Sequence, residues 1–171
     1  MSSTHLSSTH LSPPVALLPW LNVDGSLTAV LEVKAGQPLR VERVFEGYRR
    51  LTLLQKKQLG VQGAMLNRPM LAWVREVQLY GNESRPWVKA QSIFPLPSLT
   101  GRARRLQQLK GMPIGYVLFK RKRTLPNQRI IQHTSEGWQR QTRYDWYGRK
   151  FMISEIFLPE FLPNAAEPID K

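Results

Sequence analysis

The stretch Leu71-Ala72-Trp73-Val74-Arg75-Glu76-Val77-Gln78-Leu79-Tyr80 alternates at the period of a β-strand. Leu71, Trp73, Arg75, Val77 and Leu79 share one face, while Ala72, Val74, Glu76, Gln78 and Tyr80 share the other. Gly81-Asn82-Glu83-Ser84 then turns the chain, and Trp87 to Phe94 returns as a second strand that ends at Pro95 and Pro97, which predicts an antiparallel hairpin. Further on, Arg129 to His133, Trp138 to Trp146 and Phe151 to Leu158 are extended and separated by short turns, the pattern of a meander. Upstream, Leu39 to Tyr48 reads as a strand. Ser26 caps a helix through Lys34, with Gly36 and Pro38 as its stop. Leu51 to Gly60 is expected to form a turn or two of helix, and Gly63 to Pro69 a loop. One helix fits Arg102 to Lys110, and another starts at Pro113 and runs through Phe119. Helices grouped between hairpins, rather than one after each strand, imply an α+β domain with a mainly antiparallel sheet.

The length of 171 residues suits one domain with an ordinary hydrophobic core. Residues 1–14, with Ser2-Ser3-Thr4-His5-Leu6 repeated as Ser7-Ser8-Thr9-His10-Leu11, read as a disordered tail, and 15–171 as the folded domain, with Pro163 and Pro168 in a C-terminal exit. Cysteine is absent, which removes disulfides, thiolate metal sites and a Cys nucleophile. Of the 3 histidines, His5 and His10 fall in the tail, so only His133 is left for the body, and it reads as an ordinary strand residue. A multi-histidine metal site or a Ser-His-Asp arrangement therefore lacks material. Neither a dinucleotide-binding glycine pattern nor a phosphate loop occurs. No apolar run approaches the ~18 residues of a membrane span, and the N-terminus lacks the basic region of a secretory signal, so a cytoplasmic domain is expected.

Two charges interrupt apolar faces. Arg75 falls among Leu71, Trp73, Val77 and Leu79, and Glu155 among Phe151, Ile153 and Phe157. An unpaired buried charge costs several kcal/mol, so each needs a partner. Arg75 either makes a structural ion pair, snorkels at a strand edge, or binds an anionic ligand, for which its planar fork suits a carboxylate. Glu155 is either paired, with Arg75 itself as one option, or held in an apolar pocket as an acid or base. A cavity with one cation and one carboxyl would suit a small flat molecule bearing a carboxylate at one end and a hydroxyl at the other.

The runs Trp73-Val74-Arg75-Glu76-Val77, Pro86-Trp87, Pro113-Ile114-Gly115-Tyr116-Val117-Leu118-Phe119 and Ser154-Glu155-Ile156-Phe157-Leu158-Pro159 resemble, in order and spacing, the chorismate pyruvate-lyase family of the bacterial ubiquinone pathway. The resemblance covers about Trp20 to Pro159. It implies a cofactor-free lyase that converts chorismate to 4-hydroxybenzoate and pyruvate, with helical flaps over a buried site. It further implies that Arg75 holds the ring carboxylate, that Glu155 lies by the ring hydroxyl, and that Ile114 and Leu27 line the site. Leu27 stands where the family can have methionine and Ile114 where it has leucine, exchanges that conserve volume. Arg75 and Glu155 are thus the expected catalytic residues, and a monomer is expected.

The charge balance opens other classes. Lys+Arg number 25 against 12 Asp+Glu, a net charge of +13, and Lys120-Arg121-Lys122-Arg123 lies downstream of Arg102, Arg104, Arg105 and Lys110. A nucleic-acid-binding protein would use such a surface, but the strand tryptophans sit in apolar alternation and no reading motif occurs. The run is otherwise a solvated face, a steering field for an anionic substrate, or a weak contact for an anionic membrane surface. A non-catalytic effector-binding domain of the same fold is the remaining alternative; regulators of that type carry an N-terminal DNA-binding domain, and only about twenty residues precede the resemblance here.

Overall fold

The computed structural model describes residues 11–120 and 124–161. The tail histidines, Arg121 to Arg123 of the basic run, and Pro163 and Pro168 lie outside the described residues. Six strands, β1 (Arg40–Arg50), β2 (Leu71–Tyr80), β3 (Val88–Pro95), β4 (Asn127–His133), β5 (Trp138–Trp146) and β6 (Arg149–Phe157), form one sheet. Its order is β1-β2-β3-β6-β5-β4, and every described pairing is antiparallel. The β2–β3 hairpin and the β4–β5–β6 meander are therefore present, joined edge to edge where β3 pairs with β6. With its helices packed on this sheet, the protein is an α+β domain.

Among the described residues, four short α-helices accompany the sheet: α1 (Leu18–Leu21), α2 (Leu27–Ala35), α3 (Leu53–Gln58) and α4 (Gly115–Leu118). Ser26 caps α2 by accepting the Ala29 N–H at 3.3 Å, and Gly36 closes it in the left-handed region at φ 67°. Thr52 and Gln55 cap α3 reciprocally, each side chain accepting from the other's backbone N–H. Three expectations need correction. The segment expected as a helix over Arg102 to Lys110 is a 3-10 helix, Gly101–Gln108. Its buried residues Ala103 and Leu106, with Leu109 at the C-cap, recur every third position, the 3-10 period, so this winding stacks them along one edge. The helix expected from Pro113 through Phe119 contracts to the single turn of α4. The loop expected from Gly63 to Pro69 contains a 3-10 turn, Gly63–Asn67, which Lys56 pins by donating to the carbonyls of Leu66 and Arg68.

Apolar side chains gather in three clusters. On one face of the sheet, Leu79, Val88 and Phe157 pack beneath Leu17, Trp20, Leu27 and Leu31 of the N-terminal helices. On the same face but at the other end of the strands, Phe94, Tyr144, Phe151 and Ile153 pack beneath Leu99, Ala103, Leu106 and Leu118. On the opposite face, Ala72, Val74, Ile93 and Met152 meet Leu51 and Leu59 around α3. The first two clusters leave between them a strip of the covered face, and the charges lie there.

A β-bulge between Arg43 and Phe45 decides which β1 side chain reaches that strip. Arg43 pairs with Val77 and Phe45 with Glu76, so Val44 is the extra residue and is largely exposed. The insertion reverses the inside–outside parity of the strand. Phe45 consequently joins the α3 cluster, and Glu46 stands opposite Arg75 on the covered face.

Candidate functional site

Two lateral rows cross the covered face between the apolar clusters. The first runs Glu46, Arg75, Ser92, Ile153, Thr142 and Arg129, one residue from each strand. The second, one pleat repeat along, runs Arg43, Val77, Ala90, Glu155, Arg140 and Ile131. Arg75, Ser92, Thr142, Arg140 and Glu155 are all buried, a concentration of polar groups that only mutual pairing makes tolerable.

Arg75 is 3% exposed. Its Nη1 donates to Glu46 Oε1 at 3.0 Å, and its Nη2 donates to the carbonyls of Lys110 and Met112 at 2.8 and 3.0 Å. Burial lowers the pKa of the guanidinium, with Arg43 adding to the fall, while the Glu46 carboxylate opposes both. Glu155 is 8% exposed and accepts from Arg140 Nε at 2.5 Å. Arg140, 1% exposed, also donates from Nη1 to the carbonyls of Val23 and Trp20 at 3.0 and 3.4 Å, tying the α1–α2 connection to the sheet. Arg75 and Glu155 are thus not each other's partners, as one reading of the alternation had it. Each has its own, because the sheet places β3 between their strands.

Leu27 begins α2 and is buried under the first cluster, and Ile114 immediately precedes α4 against the second. Their segments touch. A Cβ on Gly115 would lie 2.5 Å from Ser26 Oγ and 3.3 Å from Thr28 Oγ1, so only glycine permits this approach. The Tyr116 hydroxyl also donates to Glu32 of α2; burial first and this hydrogen bond second push its pKa up to about 12. The four residues singled out from sequence therefore occupy one side of the sheet: Arg75 and Glu155 on strands, Leu27 and Ile114 on the two segments that meet above them.

Sequence reading missed Glu46, Arg140 and Arg129. Arg140 carried a usable signal, because it shares parity with Trp138, Thr142 and Tyr144. Tyr144 is buried, stacks on Phe151 at 5.3 Å, and has its pKa raised by burial first and by Glu155 second. His133 is exposed and lies edge-on to Trp138 at 5.1 Å, away from this band.

Two surface depressions lie elsewhere. One of about 400 Å³ sits on the opposite face around Glu76, Gln78, Lys89 and Gln91. The other, about 540 Å³, is lined by Arg102, Arg105, Lys120, Arg149, Leu125 and Trp146, and so gathers three of the basic residues named from the sequence, Arg102, Arg105 and Lys120. Among the described residues no group of three His, Asp or Glu could hold a metal ion, and no helix is long and apolar enough to cross a membrane.

Fold and site together define a single-sheet α+β domain with a charged band enclosed between its sheet and its helices. The chain matches the family described as Chorismate lyase over residues 1–165. It is 70% identical over 159 residues to the probable chorismate pyruvate-lyase of Psychrobacter cryohalolentis, covering 92% of this chain and 95% of that one. It is 71% identical over 161 residues to its counterpart in Psychrobacter arcticus, covering 94% and 96%. The chorismate pyruvate-lyase of Serratia proteamaculans is 30% identical over 154 residues, covering 90% and 84%. The chain belongs to the chorismate lyase family and is a lyase.

Proposed function

We propose that this protein cleaves chorismate to 4-hydroxybenzoate and pyruvate, as a cofactor-free monomer in the cytoplasm, and so supplies the aromatic ring of ubiquinone. The observation that carries this reading is the presence on one covered face of a fixed buried cation, Arg75, and a fixed buried carboxylate, Glu155, each held by its own partner. Arg75 commits Nη1 to Glu46 and Nη2 to two carbonyls, and a guanidinium has five N–H donors, so N–H groups are left for the ring carboxylate. Glu155 commits one oxygen to Arg140, and its other oxygen accepts from the ring hydroxyl. Leu27 and Ile114 line the cover and exclude water from the ring.

The reaction asks little of the protein. The bond between ring carbon 3 and the ether oxygen breaks, and its electron pair leaves with the enolpyruvyl group. Carbon 4 loses its hydrogen as a proton, the electrons of that bond form the third ring double bond, and a proton on the departing methylene completes pyruvate. Aromatisation drives the step. Holding the dianion in one orientation and stabilising the charge on the leaving oxygen supply the acceleration. Glu155, hydrogen-bonded at the hydroxyl of carbon 4, orients the carbon that loses the hydrogen.

Incubating the purified chain with chorismate and following 4-hydroxybenzoate by absorbance tests the reading. Stoichiometric 4-hydroxybenzoate and pyruvate are expected, and chorismate that stays intact beyond its spontaneous decay would exclude it.

A further inference from the structure

We propose that Arg129 binds the second carboxylate of chorismate, the one on the enolpyruvyl group. The inference rests on the lyase reading above and deepens it, because chorismate is a dianion and Arg75 accounts for only one of its charges. An enclosed anion needs a cation or several N–H donors of its own.

Besides Arg43, which pairs with Glu46, the covered face offers two further arginines, one on β5 next to Glu155 and one on β4 beyond it. Arg140 is committed, its Nε to Glu155 and its Nη1 to the carbonyls of Val23 and Trp20. Arg129 is not. It lies half-buried on β4, its Nε donating to Thr142 Oγ1 at 3.0 Å and its Nη1 to the carbonyl of Leu21 at 3.4 Å. Its Nη2 is buried with no hydrogen-bond partner. The other buried side-chain polar atoms left unpartnered among the described residues are the indole nitrogens of Trp20 and Trp73, which are neutral. A charged donor enclosed without an acceptor is the costliest of these, and a carboxylate satisfies it.

Register places this donor at the correct end. Arg75 and Arg129 close the same lateral row, with Ser92, Ile153 and Thr142 between them. At a strand spacing of about 4.8 Å, their Cα atoms are about 19 Å apart. Glu155 stands midway, one pleat repeat to the side and about 12 Å from each by the same geometry. With the ring carboxylate at Arg75 and the hydroxyl of carbon 4 at Glu155, the ether substituent on the adjacent carbon 3 extends toward one flank. The flank formed by β5 and β4 is the one that carries Thr142 and an unsatisfied cation.

The contact is made by the substrate and not by the aromatic product, which separates it from a structural role. Arg129→Gln is expected to lower kcat/KM for chorismate about a hundredfold, since truncating a buried charged contact has effects of that order, while changing the Kd of 4-hydroxybenzoate less than about threefold. Arg129→Lys is expected to restore part of the chorismate loss and to leave the Kd of 4-hydroxybenzoate near the parent's. Equal losses for chorismate and 4-hydroxybenzoate would show a general packing role and overturn the inference, as would unchanged chorismate kinetics. If Arg129→Gln fails to fold by circular dichroism, Arg129→Lys carries the same comparison. A parent chain that makes no 4-hydroxybenzoate overturns the lyase reading, and this inference with it, before any variant is measured.

Discussion

Replacing Arg140 by methionine keeps most of the side-chain volume and removes the charge. Three contacts go at once: the bond to Glu155 and those to the carbonyls of Val23 and Trp20. Glu155, 8% exposed, is left as a buried charge without its partner, and breaking one side of a buried pair costs about 3–5 kcal/mol. For a chain of this size each kcal/mol moves Tm by roughly 2–4 °C, so a fall of about 6–20 °C is expected. The ordering of two variants is the sharper test. Arg140→Met with Glu155→Leu removes both charges together, and buried pairs replaced by apolar side chains are often neutral. The double variant should therefore be more stable than Arg140→Met alone. Urea unfolding followed by tryptophan fluorescence measures both. An Arg140→Met variant within about 1 kcal/mol of the parent, or a double variant less stable than the single, would refute the argument that this pair must be kept whole or removed whole.

Arg75→Ala should lower kcat/KM for chorismate by roughly two to three orders of magnitude, and Arg75→Lys should recover only part, because an ammonium cannot hold Glu46, two carbonyls and the substrate at once; near-parental turnover by the alanine variant in a steady-state assay would remove Arg75 from the site. The Tyr116 hydroxyl ionises near pH 12 in the folded chain and near 10 in the unfolded one, so the folded state retains that proton longer, and the stabilisation is complete below pH 10 and lost as pH rises to 12. Tyr116→Phe should flatten that limb of the stability curve, measured by urea unfolding from pH 9 to 12, and an unchanged slope would contradict the assignment. Replacing Arg102, Arg105 and Lys120 by glutamine should leave kcat unchanged and weaken the salt dependence of kcat/KM if encounter limits the rate, because these charges line a surface cleft. A salt response identical to the parent's, together with unaltered adsorption to anionic vesicles, would reduce this surface to a solvated face.

Parity made much of the site legible. Arg75 and Glu155 stood out because each broke an apolar alternation, and both proved buried on one face. Applied to Trp138–Trp146, the same test would have found Arg140. Arg129 gave no such signal, since β4 is an edge strand in which most residues are exposed, so one more charge breaks no apolar pattern. Glu46 was hidden for a different reason: counted from Arg43 it falls on the wrong face, and nothing in the residues themselves announces the bulge. The hairpin and the meander were readable because turns separate clear alternations. The Gly101–Gln108 segment was misread because Ala103, Leu106 and Leu109 fit a helical face loosely and a 3-10 edge well.

The bulge at Val44 also bears on how relatives of different length should be compared. Removing that one residue would leave Phe45 opposite Glu76 and Glu46 opposite Arg75 in an unbroken ladder, whereas keeping it and straightening the strand would bring Phe45 opposite Arg75 and send Glu46 to the other side of the sheet. A chain one residue shorter here therefore keeps its aromatic side chain on the α3 face and its acidic one on the covered face. A gap set elsewhere in the strand would put positions that face opposite ways into the same columns between it and Val44, and substitution scores computed across them would carry no structural meaning. What descent must preserve in this strand is the pairing of Glu46 with Arg75, which Phe45 alone after Arg43 and Phe45 with a bulged Val44 both allow.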